Sequence, residues 1–103
     1  MRMMLKITIP VETGNKLAKD GALGTTIAKI MGDIKPEAAY FTTVDGCRGG
    51  IIVVDLKEES DLPRVAEPLF LALNAQITAQ PVMIPQDLAA ATPHIEAAVK
   101  AYA

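Results

Sequence analysis

The sequence predicts an α+β fold whose elements run β-α-β-β-α-β and end in a further helix. Three observations carry this expectation. Short segments with period-two alternation lie at 3–9, 38–56 and 75–83. Stripes with helical spacing lie between them, at 23–34 and 62–73. Turn and stop residues separate the segments: Pro10, Pro36, Asp45-Gly46 and Pro63.

The first strand follows from Met3, Leu5, Ile7 and Ile9 alternating with Met4, Lys6 and Thr8, and Pro10 ends it. The next region, 11–34, reads as helix but not as one helix. Leu23, Ile27, Ile30 and Ile34 share a face. The stretch from Glu12 to Asp20 is polar, and Gly21 and Gly24 fall between the two parts. Each glycine costs a helix interior about 1 kcal/mol relative to alanine. A break is therefore expected near 20–24, with Asp20 placed to cap the second helix. Pro36 stops that helix.

Ala38–Val44 and Cys47–Leu56 read as strands joined by Asp45-Gly46, a strong signal for a two-residue hairpin. With that loop, Val44 opposes Cys47, Thr42 opposes Gly49, Tyr40 opposes Ile51 and Ala38 opposes Val53. Opposed residues share a face. Tyr40, Thr42, Ile51, Val53 and Asp55 then lie on one side, and Ala39, Phe41, Ile52, Val54 and Leu56 on the other.

Ser60-Asp61 before Pro63 marks a helix start. Leu62, Val65, Ala66, Leu69 and Leu73 form its buried stripe, with Pro68 set to kink it. Ala75–Met83 alternates as a fourth strand, and Pro81 suits an edge. Pro85–Ala103 is alanine-rich and helical, with a restart at Thr92-Pro93 in which Thr92 is the expected cap. The 103 residues make one domain, with a core at 1–84 and a helical extension at 85–103.

Composition bounds the function. Half of the residues are hydrophobic and the mean hydropathy is +0.28. A domain this small cannot hide that much apolar surface alone, and a subunit interface is the usual outlet. Ten basic and twelve acidic residues give a net charge of −2 with no basic stripe, so nucleic acid is not an expected partner. No apolar run reaches membrane-spanning length, and the first residues do not read as a signal peptide, so a cytoplasmic protein is expected. Single cysteine and histidine residues, Cys47 and His94, leave too few ligands for a zinc or iron–sulfur site. No cofactor is expected. His94 reads as a solvated helix residue and Cys47 as an inert thiol beside a turn.

If helices cover the side with Phe41, Ile52, Val54 and Leu56, together with Leu5, Ile7 and Ile77, the opposite face is mixed. It carries Lys6, Thr8, Tyr40, Thr42, Asp55, Gln76, Thr78 and Gln80 around Met4, Ile51 and Val53. Such a face suits pairing with a second sheet. Here the runs Pro36–Leu56 and Leu62–Met83 resemble those of small uncharacterised bacterial proteins of the dimeric α/β-barrel superfamily. That resemblance implies a ferredoxin-like four-stranded antiparallel sheet in the order 4-1-3-2 and a homodimer with sheets face to face. It does not imply a chemistry, since members include cofactor-independent enzymes.

The expected function is binding of a small organic ligand at the open face, with turnover without a cofactor as one form of it. The alternative is a regulatory or structural module. Candidate ligand-binding residues are Lys6, Thr8, Tyr40, Thr42, Asp55, Gln76 and Thr78. Lys6, Tyr40 and Asp55 are expected to approach one another there, as an ion pair or an acid–base set. Asn15, Lys16, Lys19 and Asp20, on the irregular helix after the first strand, are candidates for a cleft rim.

The two-sided apolar character of the Cys47–Leu56 strand predicts self-association. Light scattering at micromolar concentration is expected to give at least twice the monomer mass, and a monomer mass would end the idea.

Overall fold

The computed structural model describes residues 1–103. Its strands are β1 (Arg2–Thr8), β2 (Ala38–Val44), β3 (Cys47–Asp55) and β4 (Gln76–Pro81). The helices are α1 (Val11–Lys19), α2 (Leu23–Ile34), α3 (Leu62–Leu73), α4 (Pro85–Ala90) and α5 (Thr92–Tyr102). The strands form one antiparallel sheet in the order β2-β3-β1-β4, which is the expected 4-1-3-2 order read from the opposite edge.

The register follows from the turn. Asp45 and Gly46 both take positive φ, 51° and 79°, as a two-residue hairpin twisted with its strands requires. Val44 then pairs with Cys47, Tyr40 with Ile51 and Ala38 with Val53. Pairing of β3 with β1 places Leu5 beside Ile52 and Met3 beside Val54. These residues turn toward the helices and join Ile7, Leu56, Val65, Leu69 and Leu73 in one core. Leu5, Ile52 and Val65 are wholly excluded from solvent, and each such side chain contributes about 1.5–3 kcal/mol by burial.

The helical region after β1 breaks where the glycines predict. α1 ends at Lys19, Gly21 takes φ 70°, and α2 starts at Leu23. Asp20 does not cap α2, whose N-cap is Ala22 with no side-chain bond. Asp20 instead closes α1 and accepts a hydrogen bond from Lys16 Nζ at 3.2 Å. The reason is geometric: the left-handed Gly21 turns the chain, so Asp20 faces back along α1.

Before α3, Asp61 Oδ2 accepts from the backbone N–H groups of Lys57 and Glu58, which fixes a 3-10 turn at Glu59–Asp61. α3 then runs through Pro68 without a break. Its C-terminal Asn74 is left-handed, φ 50°, as a helix-ending residue often is.

α4 and α5 leave the body. Thr92 lies inside α5 and Ala91 holds the cap position, so the side-chain cap expected of Thr92 is not made. The extension carries Leu88, Ile95, Val99 and Tyr102 into solvent, Tyr102 at 91% exposure. The molecule therefore measures 59 × 27 × 20 Å, with a radius of gyration of 17.1 Å.

Because Gly46 is held at φ 79°, Gly46→Val is expected to destabilise the fold by about 1 kcal/mol or more. A denaturation midpoint equal to wild type would contradict this.

Candidate functional site

The open face is set by the same register. Across the sheet, Tyr40, Ile51, Lys6 and Thr78 form one row. Thr42, Gly49, Thr8 and Gln76 form the next. Ala38, Val53, Met4 and Gln80 form a third on the other side of the Lys6 row. The candidate residues Lys6, Thr8, Tyr40, Thr42, Gln76 and Thr78 thus share one patch, in which Tyr40 is 69% exposed and Met4, Ile51 and Val53 are half-buried.

Asp55 is on this face but does not join the patch. It pairs with Arg2, four residues along β1 from Lys6, which at the rise of a strand is about 13 Å away. Its carboxylate accepts from the Met1 ammonium at 3.2 Å and is exposed. The expected Lys6–Asp55 pair is therefore not formed. Face membership came from alternation, but proximity along the strands depends on the β1–β3 register, which no turn in the sequence fixes. Nearby, the Arg2 guanidinium binds Glu37 at 3.0 Å. Hydrogen bonding and charge attraction from Glu37 hold Arg2 above its ordinary pKa.

Asn15, Lys16, Lys19 and Asp20 do gather. With Glu12 they line a shallow polar depression on α1. Lys16 is engaged by Asp20 within it. Cys47 is half-buried in another small depression, beside Thr8, Pro10, Asp45 and Gln76. His94 stands exposed on α5. No group of three or more His, Cys, Asp and Glu side chains is arranged to hold a metal ion.

The largest cavity lies on the other side of the sheet, under α2. It has a volume of about 400 Å³. Leu23, Ile27, Ile30 and Met31 of α2 form its roof and Leu69 and Leu73 of α3 its back. Ile7, Ile9, Phe41 and the bare backbone of Gly49 and Gly50 form the floor. The core reaches edge strand β2 at Ala39 but leaves its inner side open at Phe41, which is 57% exposed.

Gly50 keeps the floor flat, and Gly49 lets the strands approach one another. A Cβ on Gly50 would lie 2.5 Å from the Tyr40 carbonyl oxygen and 3.2 Å from Phe41 Cδ1, and one on Gly49 would meet the Ile7 carbonyl. Only glycine lets the three strands close up here.

The polar side chains on this side of the lining are those of Thr43 and Arg48, since Thr42 turns its side chain to the open face. Arg48 pairs with Thr43 across the hairpin and so turns to the helix side. Its guanidinium lies against α1 and donates from Nη1 to Asn15 Oδ1 at 2.9 Å. Gly14 makes room for it, since a Cβ there would stand 2.9 Å from Nη1. Sequence reading missed this site. The available signals were a Gly-Gly pair inside a strand and an arginine that the hairpin register turns toward the helices.

No protein-family model matches the chain, and no curated protein is significantly similar to it.

The distance between Lys6 and Asp55 predicts independence. In a double-mutant cycle, Lys6→Met and Asp55→Ala are expected to have additive effects on denaturation midpoint. A coupling beyond experimental error would mean that the two charges meet.

Proposed function

We propose that the protein is a homodimeric ligand-binding subunit that takes a small apolar organic molecule into the cavity under α2. The cavity carries this reading. It is concave and largely apolar, with a few polar groups gathered at one end, which is the form of small-molecule sites in general. The open sheet face offers rows of side chains on a gently twisted surface, and it suits the pairing of two sheets better than the enclosure of a ligand. Half-buried Met4, Ile51 and Val53 would be covered by that pairing, as in the dimeric α/β barrels that the chain resembles.

Binding is favoured over turnover by the lining itself. Its polar side chains are Thr43 and Arg48, with no carboxylate, imidazole or thiol to serve as base or nucleophile. A ligand-sensing or carrier role fits that chemistry.

The test uses a neutral ligand that asks only for apolar volume. In isothermal titration, 1-octanol is expected to bind the full chain with one site per subunit. Ile27→Trp, which fills the roof position, should abolish the binding while thermal unfolding stays cooperative. Absence of octanol binding, or binding that Ile27→Trp leaves intact, would overturn the reading.

A further inference from the structure

We infer that the ligand of this cavity is an apolar monocarboxylate, its chain under α2 and its carboxylate on Arg48. The inference rests on the reading of the cavity as a ligand site and adds the chemistry of the molecule that enters it.

Arg48 is the only charged side chain in the lining, and no carboxylate of the protein lies within ion-pair distance of it. It is nonetheless held in place: Nη1 donates to Asn15 Oδ1, and the guanidinium rests on the bare backbone of Gly14. That contact uses one nitrogen and leaves the Nε–Nη2 edge open. Two parallel N–H donors on one planar edge match the two oxygens of a carboxylate. Thr43, paired with Arg48, stands at the same end, with a hydroxyl able to donate to an anion.

The single positive charge limits the anion to one negative charge. A phosphate monoester would bring nearly two charges to one cation, at a mouth with no second lysine or arginine. A ligand cation is excluded by the same arginine. Arg48 is exposed, so water solvates its free edge beside an uncharged ligand; a carboxylate is the group that replaces that water with a paired charge.

Volume sets the length. At the ~30 Å³ that one water occupies in the liquid, 400 Å³ accommodates about 13 non-hydrogen atoms at most. A chain of about eight carbons, or a single substituted ring, fills most of that space beside Ile27, Ile30 and Leu69.

The test compares octanoate with 1-octanol on the full chain at neutral pH by isothermal titration. An apolar cavity without a cation prefers the alcohol, because stripping water from a carboxylate is costly. Wild type is expected to bind octanoate at least tenfold more tightly than octanol, the scale of one charge-assisted pair. Arg48→Met should reverse the order. Arg48→Lys, which keeps the charge and loses the fork, should retain part of the preference. If octanol binds wild type and octanoate binds no better, the carboxylate assignment falls and the cavity reading stands. If octanoate is preferred equally by wild type and Arg48→Met, Arg48 is not its partner and the inference also falls. If neither ligand binds, both fall together.

Discussion

The fold depends on the register of β3, and the Asp45-Gly46 turn pins the half of it that matters most. Two consecutive left-handed residues close the hairpin with no freedom to slip. In a sheet, a shift of one residue moves every side chain to the opposite face. Here it would expose Ile52 and Val54 and drive Ile51 and Val53 into the helices. The facing of Ile52 and Val54 into the core, of Ile51 and Val53 outward and of Arg48 toward the cavity mouth follows from that one turn.

Much of this was legible in the sequence because it rests on local rules. Alternation in β1 and β3, the Asp-Gly turn, the stripe of α3 and the glycines between α1 and α2 each act within a few residues. The element order and the hairpin pairing result from them. The features that were not legible required distances between segments far apart in the chain. Lys6 and Asp55 share a face, but their separation depends on how β1 slides along β3, and the β1 pattern repeats every two residues. Whether Asp20 caps α2 depends on how Gly21 turns the chain, which composition does not state.

The candidate site divides along the same line. The open-face patch was readable because alternation defines faces. The cavity was not, because it is a space left by packing rather than a run of residues. It arises because the core covers β2 at Ala39 but not at Phe41, and no single segment encodes that gap. Arg48-Gly49-Gly50 interrupts the alternation of β3 and so looks like noise in a strand pattern. In the structure those residues form the floor and one side of the mouth, and close backbone approach is a usual reason for a strand to tolerate adjacent glycines.

The outward course of α4 and α5 bears on how the size of this protein is to be judged. A compact chain with a radius of gyration of 17.1 Å would contain about 220 residues, roughly twice the length of this one. A single copy with its arm extended therefore diffuses more slowly than a compact chain of its own mass, although friction rises less with elongation than the radius of gyration does. Elution volume on a sizing column would mix shape with stoichiometry here and overstate the mass of each copy.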